Sequence, residues 1–135
     1  MYFPRGLRNE GYDFSFSGLK TAVITYVRKH PGVAAADVAA AFQEAVVDVL
    51  VTKARRAAAE MGATAIVLGG GVAANSLLRE RLLDACIADD RRAFLPSLSL
   101  CTDNAAMVAA AAWWRLRSDG PTPLDAGAHP GLPLA

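Results

Sequence analysis

Three features of this 135-residue chain predict a layered α/β fold, with helices packed on a mixed sheet and ligand groups gathered at strand ends. Short apolar runs alternate with longer ones in which apolar residues recur every three or four positions. A glycine triplet, Gly69-Gly70-Gly71, stands between one apolar run and the helix-like stretch that follows. Two more polar clusters, Phe14 to Thr21 and Cys101 to Asn104, also open onto apolar, helix-like runs.

Residues 1–13 hold Pro4, Gly6, Gly11 and several charges, which reads as an irregular lead-in. Phe14 and Phe16 alternate with Ser15 and Ser17, predicting a short strand. Gly18 then leads into a helical run from Leu19 to His30, ended by Pro31-Gly32. The strongest pattern predicts a helix from about Ala35 to Met61. Val38, Phe42, Val46, Leu50, Ala54, Ala57 and Met61 form its apolar stripe, Gln43, Lys53 and Arg55 lie on other faces, and Gly62 is the stop. A buried strand is expected at Ala65 to Leu68, then a helix from about Ala74 to Ile87 with Leu77, Leu78, Leu82 and Leu83 as its stripe. A short strand follows near Arg92 to Leu95. The last helix, about Asp103 to Arg117, is so rich in Ala, Met, Val and Trp that burial on most sides is expected. Beyond Gly120-Pro121 the composition turns to Pro and Gly, predicting an extended tail. The division is therefore lead-in 1–13, main body 14–118 and tail 119–135.

A hydrophobic content of 53% is ample for one core, and 14 Lys and Arg against 13 Asp and Glu give a net charge of +1. That balance gives no global electrostatic case for nucleic-acid binding. Arg79, Arg81, Arg91 and Arg92 are the densest basic stretch, and they read as a solvated helix end and loop. Cys86 and Cys101 fit neither a zinc knuckle nor a redox pair, so reduced thiols and a cytosolic, non-membrane protein are expected.

Chemistry concentrates at the three junctions. Glycines 69 to 71 let backbone approach an anion at the start of a helix, or simply pack tightly. Asn75 either caps that helix or reads a ribose or base edge. Asp103, between Thr102 and Asn104, suits a helix cap. Lys20 either pairs with a phosphate or is solvated, Ser17 is placed to cap the first helix, and Trp113 and Trp114 read as core and interface residues rather than base-stacking platforms. His30 and His129 lie in unrelated contexts, and no Gly-x-Ser-x-Gly turn supports a hydrolase built on Ser17, Asp13 and His129.

Phe14-Ser15-Phe16-Ser17-Gly18-Leu19-Lys20-Thr21, Gly70-Gly71-Val72-Ala73-Ala74-Asn75 and Cys101-Thr102-Asp103-Asn104-Ala105-Ala106-Met107 together resemble the second half of the tRNA threonylcarbamoyladenosine transferase family, once described as sialoglycoprotein endopeptidases. The resemblance runs from Phe3-Pro4-Arg5 to the Pro-rich end. It implies the second lobe of the actin-like, Hsp70-like and sugar-kinase ATPase fold. It implies transfer of a threonylcarbamoyl group from threonylcarbamoyl-AMP to the adenosine beside the anticodon in tRNAs that read codons starting with A. Asn75 would bind the nucleotide substrate, Gly70 and Gly71 would leave room for its phosphate, Lys20 is a candidate phosphate or tRNA contact, and Asp103 would bind a divalent metal, with iron expected. The family's His-x-x-x-His metal pair lies in an N-terminal half. This chain is therefore expected to be a C-terminal portion, inactive alone and prone to self-association. A related dimer partner and an accessory ATPase are the implied protein partners. The competing readings are a non-catalytic nucleotide-binding or scaffold module, and a small-molecule kinase of the same superfamily.

Overall fold

The Ser15–Gly18 cluster gives way to helix α1, Ser17–Lys29, whose Leu19 is buried and whose basic Arg28 and Lys29 sit in the last turn, facing the negative end of the helix dipole. In this computed structural model, which describes residues 1–127 and 131, Ser17 is the first helical residue and makes no capping bond. Phe16 occupies the cap position instead, correcting the expected role of Ser17. Nor is there a strand at Phe14 to Phe16. Their rings stack at 6.2 Å, as alternate residues of an extended segment can, but among the described residues no neighbouring strand pairs with them.

Ala35–Glu60, free of glycine and proline and dense in alanine, forms one unbroken helix of 26 residues, α2. It ends as its sequence predicts. Gly62 takes a φ of 62°, Ala63 N–H donates to Ala58 O at 2.8 Å and Gly62 N–H to Ala59 O at 3.3 Å, which satisfies two otherwise orphaned carbonyls. The chain then runs into β1, Ala65–Val67, and crosses over through α3, Ser76–Ala88, to β2, Arg92–Phe94. The two strands are parallel, with Ala65 opposite Arg92, Ile66 opposite Ala93 and Val67 opposite Phe94. The α3 end repeats the α2 device with Asp90 in place of glycine, at a φ of 52°, and Arg91 N–H on Cys86 O. The result is a mixed α/β architecture, mostly helical, with a small parallel sheet.

Two units are distinct, the first ending at Thr102 and the second beginning at Asp103. In the first, α2 is covered from two directions. Phe3 and Leu19 pack with Val38 and Ala45 on one side, while Leu78, Leu82, Ala85 and Cys86 of α3 supply buried apolar groups on the other. The predicted single stripe is therefore too narrow: Ala45, Val47, Val49 and Lys53 are buried, whereas Phe42 and Met61 are exposed. Lys53 is the largest departure. It is only 1% exposed, and its ammonium donates to the carbonyls of Glu10, Gly11 and Asp13 at 2.7, 3.3 and 2.5 Å. The lead-in is tied down further by Arg5 and Arg8, which both bind Asp48.

The second unit contains α4, Ala105–Asp119. No residue of α4 is buried, and Trp113 and Trp114 are 56% and 69% exposed, so the expected burial on most sides is not what this helix shows. Its six alanines favour helix without needing a core, while Met107, Val108, Trp113, Trp114 and Leu116 stand exposed on it. No helix among the described residues is long and apolar enough to cross a membrane.

Candidate functional site

Gly70 sits at φ 82° and ψ 175°, backbone angles that glycine alone adopts without strain. A side chain built on Gly69 or Gly71 would meet nothing within 4 Å, so the loop presents an open face there. The junction to the helix differs from the expectation. Gly71–Ala74 first makes a single 3-10 turn, closed by Ala73 N–H on Gly70 O, before α3 begins at Ser76. The free N–H groups of α3 are thus set one turn beyond the glycines.

Asn75 joins the two. Its Oδ1 accepts from Leu78 N–H at 2.9 Å, capping α3, and its Nδ2 donates to Gln43 Oε1 at 3.0 Å. The amide keeps one N–H and one lone pair for another partner. Gln43 lies 32 residues upstream on α2, and nothing local in the sequence marks it. Arg79, expected in a solvated basic stretch, is instead a clamp: Nη1 donates to Ala73 O at 3.0 Å and Nη2 to Pro96 O at 2.9 Å. It ties the exit of the glycine loop to the segment leading to Cys101, whose buried Sγ donates to Ser97 O. The other three arginines of that stretch are engaged separately, Arg81 with Glu44, Arg91 with Ala63 O and Asp89, and Arg92 over the ring of Phe94.

Beside the loop lies an apolar cavity of about 250 Å³ whose walls include Phe14, Leu50, Ile66, Gly69 and Leu82. The first motif and the glycine motif therefore meet at one cavity, through Phe14 and Gly69. Lys20 is exposed in the first turn of α1. Asp103 opens the second unit, exposed. It does not cap α4: Asn104 holds that position, with Oδ1 accepting from Met107 N–H at 3.0 Å. Asp103 therefore stands one residue outside the cap. Among the described residues no three His, Cys, Asp or Glu side chains group to hold a metal ion. His30 Nδ1 is 2.9 Å from Tyr26 O, and His129 lies outside the described residues.

The family model described as TsaD, tRNA N6-adenosine threonylcarbamoyltransferase, matches residues 1–110. The chain belongs to this family. The matched span contains all three motifs, including the glycine loop, Asn75 and Asp103. TsaD proteins are transferases that modify tRNA.

Proposed function

We propose that the protein transfers a threonylcarbamoyl group from threonylcarbamoyl-AMP to N6 of the adenosine beside the anticodon, in tRNAs that read A-starting codons. This chain contributes the second lobe of an actin-like nucleotide fold and is inactive without the first. In the reaction N6 attacks the carbamoyl carbon, the bond from that carbon to the AMP phosphate oxygen breaks, and N6 loses one proton. Such a step needs a seat for the AMP leaving group, stabilisation of charge on the carbamoyl oxygen, and exclusion of water.

One observation carries the reading: the family match spans a glycine loop whose open face adjoins an asparagine already fixed through half its amide. Gly70 and Gly71 would admit the phosphate and Asn75 the ribose or base, with Gln43 holding Asn75 in place. Asp103 would give one carboxylate oxygen to a divalent metal, iron by preference, which when bound supplies electrophilic stabilisation. Partners of the working enzyme are a related dimer subunit and an accessory ATPase, in the cytoplasm.

The test is nucleoside mass spectrometry of bulk tRNA after replacing the native full-length gene with an Asp103→Asn version. Loss of threonylcarbamoyladenosine at normal protein level is the expected result. An unchanged level would remove Asp103 from the site and favour a non-catalytic relative.

A further inference from the structure

Away from the glycine loop, an open groove of about 430 Å³ runs between the lead-in, α2 and the turn after α3. Its walls carry four guanidiniums, Arg8, Arg55, Arg56 and Arg91, and one carboxylate, Asp89. In a chain of net charge +1 this is a strong local concentration of positive charge. It is reduced but not cancelled by ion pairing: Arg55 and Arg91 share Asp89, Arg8 shares Asp48 with Arg5, and Arg56 pairs with Glu60 at 3.9 Å, so five guanidiniums face three carboxylates.

The hydrogen-bonding capacity of these side chains is only partly used. Arg55 spends Nε and Nη2 on Asp89, at 2.8 and 2.5 Å. Arg91 spends Nε on Ala63 O and Nη1 on Asp89. Arg56 spends Nη2 on Gly11 O. Nε of Arg8 is buried and has no hydrogen-bond partner among the described residues. The remaining N–H groups are planar donors of the kind that match phosphate oxygens. Thr52, on the same wall, already donates its hydroxyl to Asp48 at 3.5 Å.

We infer that this groove binds the phosphodiester backbone of the RNA substrate, at a point separate from the glycine-loop cavity. The inference rests on the tRNA-modifying reading of the protein. Backbone contacts of this kind position the substrate without reading its sequence, and each neutralised phosphate releases counterions.

The experiment measures binding of tRNA and of adenine nucleotide to the full-length protein across a salt series. Arg55→Gln combined with Arg56→Gln should weaken tRNA binding by about tenfold and flatten the slope of log K against log salt by about 2, one unit per lost contact, with nucleotide affinity unchanged. Asp89→Asn, which frees Arg55 and Arg91, should tighten tRNA binding by about threefold, a gain that misfolding does not produce. An unchanged affinity and slope in the double variant, or weaker binding in Asp89→Asn, overturns the groove and leaves the functional reading intact. A wild-type protein that binds nucleotide but no tRNA overturns both.

Discussion

Nδ2 of Asn75 donates to Oε1 of Gln43 across 3.0 Å, so the residue that caps α3 is also bound to α2. The two roles use different atoms and can be separated. Asn75→Asp keeps the capping oxygen and loses the donor, whereas Asn75→Ala loses both. Denaturant unfolding should show Asn75→Ala destabilised by about 1 kcal/mol, with Asn75→Asp nearer to wild type. Equal losses would mean that the Gln43 bond, not the cap, carries the stability.

Gly70 is the only member of the triplet whose backbone angles demand glycine. Gly70→Ala should cost about 1–3 kcal/mol in the same measurement. Gly69→Ala and Gly71→Ala, built into open space at ordinary angles, should change stability little. Reduced nucleotide affinity in those two, with stability kept, would mark the open face as the side a ligand uses.

Lys53 satisfies three carbonyls of the lead-in from a position sealed from water. Lys53→Met retains much of the side chain's bulk and strands the carbonyls of Glu10 and Asp13, while that of Gly11 keeps Arg56. A loss of about 3 kcal/mol is expected, together with faster amide exchange in residues 10–13. Exchange unchanged there would show that Arg5 and Arg8 suffice to hold the lead-in.

The Arg55 guanidinium, bonded to both oxygens of Asp89, holds that carboxyl below its ordinary value of 3.8, with Arg91 adding to the effect. A depressed folded value means the unfolded chain takes up the proton first as pH falls. The pair's contribution is therefore complete above the unfolded value and fades as pH drops through the lower, folded one. Acid titration of stability should lose less in Asp89→Asn than in wild type over that range.

The sequence made the backbone elements legible where a local rule governs them. Gly62 stops α2, Asn75 starts α3, and the apolar runs at 65–67 and 92–94 pair as strands. It failed where a distant partner decides. Lys53 lies off the predicted apolar stripe, and the three carbonyls that bury its ammonium lie 40 to 43 residues earlier. The Phe14–Phe16 alternation looked like a strand, but the carbonyl of Asp13 that would begin a ladder is bound to that ammonium instead. Asp103 and Asn104 are both good capping residues side by side, and only geometry chooses Asn104. Of the candidate site, the glycine turn and Asn75 could be read directly, while Gln43 and Arg79 could not, since each acts across an interval that no spacing rule encodes.

Asp90 closes α3 in a conformation that glycine occupies more easily. Its aspartate leaves stability in reserve, recoverable by Asp90→Gly at about 1 kcal/mol. That reserve has a use at the bench: carried as a silent background, the substitution would offset the loss expected at Asn75, and activity could then be compared between variants matched in stability.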